Sequence, residues 1–198
     1  MPTPYQKAYF LLSAANVKQL PQDVGIEIAI VGRSNTGKSS IINRLTHNKK
    51  LARVSKTPGR TQLLNVFMLD PLHRLIDLPG YGYAKVPPAM KKQWQTLIET
   101  YLRTRNSLKG LILVMDIRHP FKPQDKVLID FCEHNQLPLH ILLNKADQLS
   151  KQEIKNTLEN TKVVLTSYST SVTFECFSAL KGVGIEALQA HLDQWYGW

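Results

Sequence analysis

Acidic residues are missing from one long stretch of this chain: between residues 28 and 69 there is no Asp and no Glu. The same stretch carries Arg33, Lys38, Arg44, Lys49, Lys50, Arg53, Lys56 and Arg60, eight of the charges behind a formal net charge of +10. Such asymmetry points to a polyanionic partner. Cysteine is scarce. Cys132 and Cys176 lie far apart and at no metal-ligand spacing, which excludes a disulfide scaffold or a zinc module and fits reduced thiols in a cytoplasmic protein. No apolar run approaches the ~20 residues a membrane helix needs, so no membrane partner is expected. The first residues, Met1, Pro2, Thr3 and Pro4, lack the charged-then-apolar pattern of a secretory leader. Repeats and low-complexity segments are also lacking. At 198 residues and 43% hydrophobic content the chain is expected to form one domain with a sizeable core. We place that domain at residues 26–198, with residues 1–25 as an N-terminal extension packed on it.

What the chain does have is a glycine loop in a telling context. Gly32, Arg33, Ser34, Asn35, Thr36, Gly37, Lys38 and Ser39 fit G-x-x-x-x-G-K-[ST]. A short apolar strand over residues 26–31 precedes them, and a helical pattern with Ile41, Ile42 and Leu45 on one face follows. Strand, glycine loop and helix together make a phosphate-binding loop. Glycines let the backbone wrap a polyphosphate with its N–H groups turned inward, and the helix N-terminus adds partial positive charge. Lys38 is placed to reach the β- and γ-phosphates, and Ser39 to ligate Mg²⁺.

The rest of the chain alternates. Residues 47–61 read as a basic loop without apolar period. Strands at 63–69 and 74–77 flank a turn and are expected to pair antiparallel. After a loop at 78–88 come a helix over 90–105, a strand over 110–116, a helix over 124–134 and a strand over 139–143. Ser150 and Glu153 form a capping box that opens a helix running to about residue 164. A strand over 172–177 and a helix over 184–195 close the chain. This is an α/β pattern with a mostly parallel sheet.

Two loops then name the ligand. Asn144, Lys145, Ala146 and Asp147 follow a buried strand, where open α/β sheets bind ligands. The Asp147 carboxylate can accept from both N1–H and the N2 amino group of guanine. Adenine offers neither donor and would leave that charge unpaired, so the site selects strongly. Asn144 can hold the loop and the base edge, and the Lys145 stem can cover the base plane. Asp77, Leu78, Pro79 and Gly80 form the second loop. Asp77 ends a strand, where a carboxylate would hold Mg²⁺ through water, and Gly80 lets its N–H approach the γ-phosphate. In the basic loop a Thr is needed that closes onto Mg²⁺ when the γ-phosphate is present. Gly59, Arg60, Thr61, Gln62 and Leu63 lead into a strand, which favours Thr61 over Thr57. Finally Phe177, Ser178 and Ala179 follow a strand and can turn backbone N–H groups toward the guanine carbonyl. A small P-loop ATPase or kinase, the outlying alternative, would give Asp147 no role.

With these motifs in place the chain resembles a Ras-like, translation-factor-related P-loop GTPase. Its combination resembles the bacterial EngB/YihA/YsxC family, carried by GRSNTGKSS (32–40), KTPGRTQLLN (56–65), DLPGYGYAK (77–85), NKAD (144–147) and FSALKG (177–182). The resemblance implies a three-layer α/β/α fold around a six-stranded, mostly parallel sheet with one antiparallel edge strand. It implies GTP and GDP as ligands, Mg²⁺ as cofactor and slow hydrolysis of GTP. It also implies a role as a monomeric switch in assembly of the large ribosomal subunit, with rRNA and ribosomal proteins as partners, needed for normal cell division and septation. The basic stretch favours RNA; the alternative is a GTP-dependent regulator of division proteins without RNA contact. One departure matters. Tyr81 stands where Ras-like enzymes carry the glutamine that orients water. Lys38, Thr61 and Asn35 are then the residues expected to serve catalysis. Asn35 either helps hold a potassium ion, as in related GTPases, or only hydrogen-bonds its own loop.

Overall fold

Strand alternation sorts the apolar side chains onto two faces of one sheet. In β2 (Ile26–Gly32), Ile28 and Ile30 join Ile41, Ile42 and Leu45 of α1 (Lys38–Leu45) and Leu188 and Leu192 of α5 (Ile185–Tyr196). Ala29 and Val31 turn the other way, onto Ile98 and Tyr101 of α2 (Pro88–Thr104) and Ile129 of α3 (Pro123–His134). A strand covered on both faces carries a near-continuous apolar run, as the central strands here do. The computed structural model describes residues 3–53, 63–82, 88–168 and 172–198.

The remaining elements are β1 (Tyr9–Ala14), β3 (Leu64–Met68), β4 (His73–Asp77), β5 (Leu108–Asp116), β6 (Leu139–Asn144), α4 (Lys151–Leu165) and β7 (Val172–Cys176). The sheet order is β1-β3-β4-β2-β5-β6-β7. Strands β4, β2, β5, β6 and β7 run parallel to one another, while β3 is antiparallel to β4, as the turn at residues 70–73 requires. The fold is thus a mixed, mostly parallel α/β sheet with helices on both faces. Among the described residues it has seven strands, one more than the resemblance implies. The addition is β1, drawn from the stretch read as an extension and paired antiparallel with β3. Its register shifts between Phe10 and Leu12, and this bulge breaks the period of two that would have marked it as a strand.

At the lower end of the sheet an ionic knot joins the N-terminal segment to the core. Glu27, 0% exposed, accepts from Arg74 Nη1 at 2.8 Å, Arg105 Nη2 at 2.7 Å and Tyr101 Oη at 3.0 Å. Arg105 Nη2 also donates to the carbonyl of Pro21 at 2.7 Å. Glu27→Gln keeps the shape but leaves the buried Arg74 guanidinium without a counter-charge and Arg105 with only the Asp23 carboxylate, 3.5 Å from its Nε. It is expected to cost about 2–3 kcal/mol. Urea unfolding that shows no loss would mean the knot does not stabilise the fold.

Candidate nucleotide site

The phosphate loop sits at the carboxyl end of β2, and its shape comes from its own hydrogen bonds. Thr36 Oγ1 donates to the Arg33 carbonyl at 2.8 Å. Asn35 and Gly37 take left-handed backbone, at φ 64° and 101°. At Gly37 a side chain would also run into Asn144 Nδ2, so glycine is required twice over. Lys38 opens α1. Its Nζ lies 3.2 Å from the place a Cβ on Gly80 would occupy, so the lysine and the Gly80 backbone border one space. The loop is fastened to the 77–80 segment by Ser34 N donating to Tyr81 O at 2.8 Å and Tyr81 N to Gly32 O at 3.3 Å.

Asn144 draws the ligand loops into one unit. Its Nδ2 donates to Thr36 O at 2.7 Å, and its Oδ1 accepts from Ala179 N at 3.1 Å. The side chain is buried and both ends are engaged with backbone, so Asn144 positions the loops around it. The Ala179 N–H, expected to face a ligand carbonyl, is occupied by this bond. Asp147 is half-buried and accepts from Ser178 Oγ and, at 2.9 Å, from Gln148 Nε2. The Ser178 bond, then the Gln148 bond, hold its carboxyl below the ordinary range, so it is an anion ready to accept. Lys145, at φ 72°, donates from Nζ to Asp116 Oδ2 at 2.9 Å, which fixes the direction of its stem. Phe177 is fully buried, and its carbonyl accepts from Ala146 N at 3.0 Å.

Asp77 ends β4 and is buried. Burial pushes its pKa up, against the Lys38 charge and the Asn65 amide. Asn65 Nδ2 donates to Oδ2 at 3.3 Å, while Oδ1 has no partner among the described residues. An unpartnered buried carboxylate oxygen fits a metal-bound water, so this side chain suits Mg²⁺. Leu78 and Pro79 carry the chain from Asp77 to Gly80, with Leu78 N bonded to Ile30 O at 2.9 Å. Ser39 lies in the first turn of α1, half-buried. Asn35 is exposed at the loop tip. Gly59, Arg60, Thr61 and Gln62, with Thr57, lie outside the described residues, and Leu63 stands at their edge.

Tyr81 is turned away from this space. Its hydroxyl donates to Asp125 Oδ1 of α3 at 2.6 Å, and its ring packs on the α2–α3 side of the core. Burial, reinforced by Asp125, raises the Tyr81 pKa far above the usual phenol value, so it stays a neutral donor. Four further residues, Asn65 at the end of the 56–65 motif and three outside any motif, support the site. Asn65 stands opposite Asp77 in the β3–β4 pair, a register that antiparallel pairing would have supplied. Ser13 Oγ of β1 donates to Asn65 Oδ1 at 2.7 Å. Asp116 ends β5 directly beside Asn144, and binds both Lys145 and Arg118. Arg44 donates to the carbonyls of Ala179 and Leu180, at 2.9 and 2.5 Å, so one cation of the basic stretch is committed to a loop of the site.

A phosphate loop, an Asp-x-x-Gly turn and an Asn-Lys-x-Asp turn gathered at the carboxyl ends of a mostly parallel sheet define a P-loop GTPase. Residues 27–145 match the family model described as 50S ribosome-binding GTPase, and residues 96–196 match that of the elongation factor Tu GTP-binding domain. Over 192 residues the chain is 49% identical to a probable GTP-binding protein EngB of Coxiella burnetii, covering 97% of this chain and 94% of that protein. It is 50% identical to the corresponding protein of Idiomarina loihiensis, over 97% and 93% of the two chains. A crystal structure of a probable GTP-binding protein EngB superposes with a TM-score of 0.68 at 26% identity, covering 86% of this chain and 98% of that one. The chain belongs to the EngB family of GTP-binding proteins.

Proposed function

We propose that this GTPase is a nucleotide switch that binds a precursor of the large ribosomal subunit in its GTP form and leaves after hydrolysis. The observation that carries the reading is the Asn144 clamp, which ties the phosphate loop to the two loops assigned to the base. Occupancy of one therefore orders the others. The backbone of residues 32–37 wraps the phosphates, Lys38 contacts the β- and γ-phosphates, and Asp147 accepts from guanine, with the Lys145 stem over the base plane. The Gly80 N–H reports the γ-phosphate to the 77–82 segment. Asp77, Ser39 and Thr61 would hold Mg²⁺, which when bound neutralises charge developing on the phosphates. The cellular setting is the cytoplasm, and the protein acts as a monomer whose loss disturbs division and septation.

Intrinsic hydrolysis is slow, because Tyr81, anchored to Asp125, stands at the position where Ras-like enzymes carry the water-orienting glutamine. A monovalent cation near Asn35 would supply positive charge at the transferred phosphate. Potassium, against sodium at equal ionic strength, is expected to raise GTP turnover at least about tenfold, a change of ~1.4 kcal/mol in barrier. Asn35→Ala abolishes the difference and leaves GDP binding nearly intact. Equal turnover in both salts would move activation to the partner. Co-sedimentation with ribosomal large subunits under GTP, at rising salt, tests the assignment. A salt-sensitive, GTP-dependent association supports it. Absence of association at every salt favours a regulator of division proteins without RNA contact.

A further inference from the structure

We propose that the open edge of the sheet, where β1 faces the loop after α1, is a seat for an unpaired, single-stranded segment of RNA. This rests on the RNA partner of the preceding reading and adds where, and in what form, the RNA is held. Among the described residues strand β1 pairs only with β3, which leaves its outer edge open to them. On that edge Tyr9, Phe10 and Leu11 are 53%, 49% and 40% exposed. An open edge with large apolar residues is a liability unless something covers it. The Phe10 ring is fixed by an edge-to-face contact with Phe67 at 6.0 Å, so it is a preset surface rather than a loose side chain.

Phe10 borders a cleft of about 540 Å³ shared with Ser13, Lys50, Arg53 and Asn65. That volume lies in the range that holds a small ligand such as one nucleotide unit. Lys49, Lys50 and Arg53 are exposed and have no ion-pair partner among the described residues. They stand on a rigid frame, because the buried Asn43 donates to the carbonyls of Lys49 and Ala52, at 3.1 and 2.9 Å, and accepts from Ala52 N at 2.7 Å. Carboxylates do not offset them. Residues 1–69 contain two acids, Asp23 and Glu27. Glu27 is buried against Arg74 and Arg105, and Asp23 is bound to Asn106 and Ser107. Asp77, at the cleft floor, is buried and faces Lys38 and Asn65.

An aromatic ring beside cations without an ion-pair partner among the described residues, over a buried Asp77 that faces Lys38 and Asn65, matches single-stranded nucleic acid: a base stacks on the ring and phosphates meet the cations. Duplex RNA keeps its bases stacked on one another and offers the ring nothing. The test uses the full, GDP-loaded chain with a fluorescent 12-nucleotide oligouridine and an RNA duplex of the same length, titrated at several salt concentrations. The single strand is expected to bind more tightly than the duplex. Phe10→Ala should weaken it about tenfold, Phe10→Trp should retain it, and GDP affinity should not change. Lys50→Gln and Arg53→Gln should each lower the salt slope by about 0.7. Unchanged binding by Phe10→Ala overturns the stacking seat and leaves only a basic surface. No binding of either RNA by the wild type overturns the RNA reading itself.

Discussion

Asp147→Asn is expected to exchange GTP for XTP as the preferred nucleotide. The carboxylate at this position is an anion, held down by the Ser178 hydroxyl and the Gln148 amide. Those two bonds leave it lone pairs for the two donors of guanine. An amide presents one acceptor and one donor, so it meets guanine's N2 amino group with a donor of its own. Xanthine carries an oxygen at that place and restores the match. A site built around a paired charge rejects the wrong partner by about 10⁴, so the ratio of GTP to XTP affinity should swing by about that factor. Fluorescent-nucleotide titration measures it. Unchanged preference for GTP would remove Asp147 from the base site.

Lys38→Ala is expected to weaken GDP and GTP alike by about 10³, some 4 kcal/mol, because a charged contact to the β-phosphate is lost in both. The position of Nζ beside Gly80 places it between the phosphate loop and the segment after Asp77. Thr61→Ala should behave differently. A contact that needs the γ-phosphate is absent with GDP, so GDP affinity is spared and only the GTP-bound state loses order. Stopped-flow nucleotide release separates the two. A Lys38→Ala loss confined to GTP would place the lysine at the γ-phosphate alone, and equal losses of both nucleotides in Thr61→Ala would end the switch role of that loop.

The parts of the site that were legible in the sequence are those whose chemistry is local. The phosphate loop declares itself by glycines and a following helix. The capping box at Ser150 is confirmed by Ser150 N donating to Glu153 at 2.8 Å. What stayed hidden depends on contacts between distant segments. Asn65 reaches Asp77 across an antiparallel pair, Arg44 reaches the 179–180 carbonyls across more than a hundred residues, and Asp116 meets Lys145 because two parallel strands end side by side. No period marks such residues, and the motif that ends at Asn65 does not reveal its contact with Asp77. Strand β1 is hidden in the sequence for a different reason, since the bulge at Leu11 shifts the period-two alternation that marks a strand. The structure divides the basic stretch between different tasks. Arg33 and Lys38 belong to the phosphate loop and Arg44 to a loop contact, while Lys49, Lys50 and Arg53 face solvent.

The claim that the protein is a hydrolysis-timed switch is tested most directly by a single-turnover experiment on ribosomal large-subunit precursors. The GTP-loaded protein is bound to the particles, and phosphate release and departure from the particle are followed together. Departure should follow phosphate release with the same rate constant, and a non-hydrolysable GTP analogue should hold the protein on the particle. Departure at the same rate with the analogue would contradict the account.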